Sequence, residues 1–194
     1  CKHNNYNMKK VLLAAILMLS VGVAANAQFK LGAKAGMNIT GVNVSDADLK
    51  IGFSIGALSQ IKLGDKWAVQ PEVLFNMQGF KAKEDDVKKS FNLGYISVPI
   101  MAQFYITKNL NVELGPQLGF LIFAKSKGGG ESVKIKSDME TVEFALGAGA
   151  AYELAKLPIG FFARYTYGFT EIAKPSLGKD VKNYGVQVGA FVKF

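Results

Sequence analysis

The chain is poor in the side chains that carry most enzyme chemistry. It holds one cysteine and one histidine among 194 residues, and both, Cys1 and His3, precede the first methionine, Met8. If translation starts at Met8, residues 1–7 are an upstream extension foreign to the working protein, which then has no disulfide and no thiolate metal site. Membrane enzymes that cut or transfer acyl chains generally set a histidine base beside a serine, so that chemistry is excluded as well. The carboxylates of Asp46, Asp48, Asp85 and Asp86 lie in polar stretches and read as solvated rather than catalytic or calcium-binding. No catalytic residue, cofactor or metal is expected.

Long apolar runs are missing too. The one candidate, Val11 to Ala25, follows Met8-Lys9-Lys10 and ends in Ala25-Asn26-Ala27 before Gln28. A positive start, a short apolar middle and small residues at the end form a secretory signal peptide, whereas a spanning helix needs about 20 apolar residues. Residues 8–27 are therefore expected to be cleaved, leaving 28–194 as the functional domain. Cys1 precedes the apolar run, which is the wrong side for a lipid-anchored cysteine. Losing Lys2, Lys9 and Lys10 lowers the net charge from +8 to +5, with 20 basic against 15 acidic residues. Moderate basicity in an exported protein suits a surface facing anionic lipid and is a poor fit for nucleic acid.

What remains after Gln28 lacks sustained helical spacing and is instead rich in two-residue alternation, the mark of strands with two chemically different faces. Eight segments carry it, at about 29–39, 51–63, 67–78, 92–105, 110–124, 141–154, 160–172 and 184–194. In the first, Phe29, Leu31, Ala33, Ala35, Met37 and Ile39 oppose Lys30, Gly32, Lys34, Gly36 and Asn38. The fourth alternates clearly only from Ile96, and Pro99 and Pro116 cannot donate ladder hydrogen bonds, so local irregularities are expected at both. Connections alternate in length. Short ones fall near 64–66, 106–109 and 155–158, and long polar ones near 40–50, 79–90, 125–139 and 173–183, as in outer-membrane barrels whose short turns lie in the periplasm.

An eight-stranded soluble barrel of lipocalin type turns its apolar face inward, and alternation alone does not separate it from a membrane barrel. Aromatic positions do, because in a membrane barrel they gather at the two lipid boundaries. Phe29, Trp67, Phe104, Tyr152, Phe161 and Phe194 fall near the periplasmic ends of the apolar face, and Phe53, Phe75, Phe120, Phe144, Phe169 and Tyr184 near its outer ends. Between them the same face carries almost no charge. The fold class that follows is all-β: an eight-stranded, antiparallel, up-and-down transmembrane barrel in the bacterial outer membrane.

The fragments Gly32-Ala33-Lys34-Ala35-Gly36-Met37-Asn38, Gln70-Pro71-Glu72-Val73-Leu74-Phe75, Tyr95-Ile96-Ser97-Val98-Pro99-Ile100, Gly115-Pro116-Gln117-Leu118-Gly119 and Arg164-Tyr165-Thr166-Tyr167-Gly168-Phe169-Thr170 resemble the PorT-like outer-membrane β-barrel (porin) family. The resemblance spans nearly all of 28–194. It implies a small barrel inserted by the outer-membrane assembly machinery, and it carries no particular task to this chain. The last eight residues look like the terminal assembly signal of such barrels, with Gln187, Gly189, Val192 and Phe194 at the polar, glycine, apolar and aromatic places.

The opposite face gathers Lys30, Lys34, Glu72, Glu113, Glu143, Glu153, Arg164 and Lys193, most of them toward the periplasm. An eight-stranded barrel is just wide enough to be filled by side chains, so an ion-pair network plugging the lumen is expected, with Arg164 as its hub. The function this supports is non-enzymatic, structural or interactive. Loops would meet outer-membrane lipid and glycolipid or an envelope or extracellular protein. The alternative is a narrow channel for ions or small solutes. A soluble carrier is the third reading, and it predicts extraction without detergent.

Overall fold

The computed structural model describes residues 28–43, 47–84, 87–128, 131–136, 139–171 and 181–194. The expected upstream extension (1–7) and signal peptide (8–27) lie outside the described residues, as does much of the connection near 173–183. Nine strands are present among them: β1 (Gln28–Val42), β2 (Ala47–Lys62), β3 (Trp67–Glu84), β4 (Val87–Tyr105), β5 (Leu110–Gly128), β6 (Glu131–Lys134), β7 (Val142–Glu153), β8 (Ile159–Glu171) and β9 (Lys182–Lys193). All pairings are antiparallel: β1 to β5 pair in succession, β5 pairs with β7, β7 with β8, β8 with β9, and β9 with β1. The sheet therefore closes on itself through eight strands, and β6 is a short addition to the outer end of β5. Closure leaves no edge with unpaired backbone groups, the condition for spanning lipid with strands.

Alternation sets the faces as the sequence pattern requires. Along β1, Leu31, Ala33, Ala35, Met37 and Ile39 are exposed while Gly32, Lys34, Asn38 and Thr40 are buried. A chain that exposes Ile51, Phe53, Ile55, Leu114 and Phe161 and buries Lys34, Glu72 and Arg164 is inverted relative to a water-soluble protein. At one end the chain turns tightly, Leu63 donating its N–H to Trp67 at 2.9 Å and Leu154 to Ile159 at 2.9 Å. This is the periplasmic end by the turn-length rule.

At the other end the structure departs from the expected loops. Most of 40–50, 79–90 and 125–139 is strand: β3 and β4 stay paired out to Glu84 and Val87, and β5 continues to Gly128 before β6 folds back on it. Polar composition was the basis for reading loops there, but backbone pairing continues wherever a neighbouring strand remains in reach. A transmembrane strand needs about 9–11 residues, whereas β3, β4 and β5 have 18, 19 and 19. The surplus stands as a ribbon beyond the outer aromatic positions.

The proline expectations resolve unevenly. Around Pro99 and Pro116 the ladder skips pairs but keeps its register, because Pro71 meets Ile100 and Leu74 meets Ser97 in step, as do Pro99 with Gln117 and Ala102 with Leu114. The register shift of the β4–β5 ladder falls instead at Gly94 and Tyr95, which face Phe123 and Leu121 and leave Ile122 as the extra residue; two others lie between Leu49 and Ser54 and between Tyr167 and Glu171. The bulge at Ile122 flips the phase. Before it Leu121 keeps the inward phase of Gln117 and Gly119, and beyond it Ala124 turns inward while Phe123 turns outward to join Phe75 at a ring separation of 6.5 Å.

Candidate functional site: a filled lumen

The lumen is built around Arg164, the only arginine in the chain, which β8 carries inward to almost complete burial. Room for its stem comes from β7: a Cβ on Gly147 would lie 3.3 Å from the Arg164 Cδ, and one on Gly149 would lie 2.4 Å from the Ala163 carbonyl oxygen. The guanidinium donates through Nη1 and Nη2 to Glu72 at 2.9 and 2.8 Å, and through Nε to Glu113 at 2.8 Å. Lys34 donates to the same Glu72 at 3.0 Å and sits over the Phe162 ring at 3.7 Å. Two cations and two carboxylates thus cancel in a buried layer, and the planar fork of arginine is the shape that bridges two carboxylates.

From that layer the hydrogen bonds run on. Gln103 donates to Glu113 at 3.2 Å, Gln60 to Gln103 at 2.6 Å and to the Tyr105 hydroxyl at 2.8 Å, and Tyr105 to Glu153 at 2.5 Å. Glu153 accepts from Lys193 at 2.9 Å. Followed from Lys34 to Lys193, one connected chain of side chains touches each of the eight barrel strands. Such a network is stable only because nearly every member is satisfied, since an unpaired polar group in this setting is costly.

Two of the expected members stand apart. Lys30 points the right way but is exposed at the periplasmic rim, where its charge reaches water. Glu143 is buried on the far side of the Arg164 layer and joins no ion pair among the described residues. The register explains its separation: Glu143 lies opposite Gly119, whereas Arg164 lies opposite Gly149, six places further along β7.

Apolar groups, unforeseen from alternation, complete the filling. Leu58, Ala151, Phe162 and Phe191 cluster toward the periplasm, with the Phe191 ring lying where a Cβ on Gly160 would be. Toward the outside Val42, Leu93, Tyr95, Leu121, Ala124, Met139 and Val181 form a second cluster backed by Phe80 and Ile135. Between that cluster and the Arg164 layer lies a polar chamber of about 30 Å³ lined by Asn38, Thr40, Asn76, Gln78, Gln117, Glu143, Thr166, Asn183 and Gln187, among others. Gln187 donates to Asn38 at 3.0 Å, and Asn183 hydrogen-bonds Gln78.

The family of the outer membrane protein beta-barrel domain matches residues 23–174. The chain belongs to that family. No curated protein sequence matches it. Among solved structures, Ail, the attachment invasion locus protein of Yersinia pestis, is similar at 22% identity and a TM-score of 0.54, over 85% of this chain and 98% of Ail. Neisserial surface protein A is similar at 18% identity and a TM-score of 0.60, over 88% of this chain and 100% of that one. Ail in complex with the heparin analogue sucrose octasulfate aligns at 20% identity and a TM-score of 0.51, over 86% and 99%. At these identities the likeness speaks for the fold. This family member is thus an outer-membrane protein held in lipid by a closed eight-stranded barrel.

On the outside of this outer-membrane barrel, most aromatic residues gather toward the two ends, with Tyr165 exposed between them on β8. Trp67 packs on Phe104 at 4.9 Å, and Tyr152 lies opposite Phe161, at the short-turn end, with Phe29 and Phe194 at the strand termini. Phe53 packs on Phe75 at 5.9 Å and Phe144 on Phe169 at 6.1 Å at the other end, with Phe120 and Tyr184 in the same outward phase. The terminal residues close the seam: Phe194 and Leu31 exchange backbone hydrogen bonds at 2.8 and 3.2 Å, and Gly189 is pressed against Ala35 and Gly36 of β1. Val192 lies opposite both Ala33 and Ile159 in that seam.

Proposed function

We propose that this barrel is a non-enzymatic structural and interaction protein, sealed along its axis and presenting its outer ribbon to partners. The observation that carries the reading is the connected chain of side chains from Lys34 to Lys193, which ties all eight strands across the lumen. With an apolar cluster on either side of the polar chamber, it opposes a continuous water path. Planar-bilayer recordings of the protein are expected to show no stable unitary conductance. Stable, ion-selective current abolished by refilling the lumen would favour the narrow-channel alternative and overturn this one.

Partners would be met by the ribbon of β3 to β6. Lys81, Lys125 and Lys134 are exposed there, Lys125 and Lys134 are paired in register, and Lys125 reaches over the Phe123 ring at 5.9 Å. Cations just beyond the outer aromatic group suit the phosphates of surface glycolipid. That Ail has been solved with a sulfated heparin analogue is in keeping with an anionic partner, and an envelope or extracellular protein could present the same charge. The PorT-like resemblance, removal of residues 8–27 on export, and the two aromatic groups as lipid-boundary belts belong to the same proposal. Residues 28–194 contain no histidine or cysteine, which fits a non-catalytic role.

Assembly is the other partner relation. If Gln187, Gly189, Val192 and Phe194 form a signal read by the outer-membrane assembly machinery, deleting Phe194 leaves export intact and lowers the amount of heat-modifiable barrel in the membrane. Wild-type levels of folded barrel after the deletion would count against it.

A further inference from the structure

Charge bookkeeping inside the lumen leaves one group over. Glu72 meets Lys34 and Arg164, Glu113 meets Arg164, and Glu153 meets Lys193. Glu143 is as buried as Glu113, 3% exposed, and meets no cation among the described residues. Its Oε2 has no hydrogen-bond partner, and the nearby Asn183 amide donates to Gln78. A buried carboxylate in that position needs a positive charge or a proton, because an uncompensated ion out of water costs several kcal/mol.

The surroundings select between those two. Glu143 lines the polar chamber, whose other walls are amide and hydroxyl groups of Asn38, Thr40, Asn76, Gln78 and Gln117. Neutral oxygens of this kind, with one carboxylate, are the ligand set of hard cations. The volume of about 30 Å³ is roughly twice the minimum of about 10–15 Å³ that a single water needs. A bare ion and one water fit, whereas an organic cation of any size does not. One carboxylate balances one charge, and a divalent ion would leave a net positive charge buried.

We propose that the chamber binds a single alkali-metal ion held by Glu143 and the amide and hydroxyl oxygens around it. The ion completes the neutrality that the Arg164 layer achieves with protein groups alone, and it makes the stability of the outer half of the lumen depend on alkali-ion concentration.

The test is urea unfolding of the folded barrel in micelles, followed by Trp67 fluorescence, at constant ionic strength with choline chloride exchanged for sodium or potassium chloride. Choline is too large for the chamber and controls for screening. At an alkali-ion concentration about ten times its dissociation constant, the unfolding equilibrium is expected to shift about tenfold toward the folded state, and then saturate with the logarithmic slope of one site. Glu143→Gln is expected to abolish that dependence, and in choline to be at least as stable as wild type. Identical wild-type curves in choline and alkali salts would overturn the proposal in favour of a proton, and a dependence surviving in Glu143→Gln would place the ion elsewhere. Should that variant fail to fold, wild-type crystals soaked in thallium(I) decide: an anomalous peak beside Glu143 supports the site, and a chamber without one overturns it.

Discussion

Arg164→Met is expected to destabilise the barrel by about 3–5 kcal/mol, the cost typical of removing one partner from a buried ion cluster. The loss arises less from the missing attraction than from what is left behind. Glu113 keeps only a neutral partner, Gln103, and Glu72 keeps Lys34 as its sole cation. Arg164→Lys is not expected to rescue it, since a lysine cannot bridge Glu72 and Glu113 with a planar fork. Adding Glu113→Gln to Arg164→Met should recover much of the loss, because Lys34 and Glu72 then remain as a neutral pair and no carboxylate is stranded. Urea titrations of refolded protein in lipid vesicles measure all three. A single-variant cost below about 1 kcal/mol, the range of exposed pairs, would mean that water enters the lumen at this layer.

Leu114→Arg addresses the other face. Leu114 is exposed on β5 between Phe120 and the periplasmic aromatic residues. An arginine at mid-depth on the lipid face is expected to cost about 2–4 kcal/mol, falling to about 0–1 near an interface. Leu31→Arg, close to the periplasmic end of β1, supplies the interfacial comparison. In a water-soluble barrel both changes would be nearly neutral, so the depth dependence carries the information. Equal and small effects at the two positions, measured in vesicles, would contradict the lipid-facing assignment.

Most of the barrel was legible because a period of two is a direct consequence of strand geometry. Once Leu31, Ala33, Ala35 and Met37 face one way, Gly32, Lys34, Gly36 and Asn38 must face the other. Arg164 stood out for the same reason, as the one guanidinium on the polar side of a strand. The misses lie where alternation is interrupted. Adjacent apolar residues such as Phe161-Phe162 and Phe191-Val192 require one of each pair to point inward, and the glycines they lie against, Gly36 and Gly160, were the available clue. The bulge at Ile122 has no such signature, which is why Phe123 escaped notice on the outer face and Ala124 on the inner. Membership of Glu143 in the ion-pair layer failed on register. Which strand residues share a level depends on the stagger of the closed sheet, and a single strand's pattern does not contain it. The long connections were misread because polarity marks exposure to water, and a ribbon above the membrane is as exposed as a loop.

The central claim is that the alternating apolar face meets lipid, and the chain carries its own probe. Trp67 is the only tryptophan, exposed on the outer face beside Phe104 at the short-turn end. In vesicles containing brominated lipids its fluorescence is expected to be quenched, more strongly by bromines near the headgroup than by bromines at the chain ends. Emission unaffected by brominated lipid at any depth, from protein that is folded and vesicle-bound, would contradict the account.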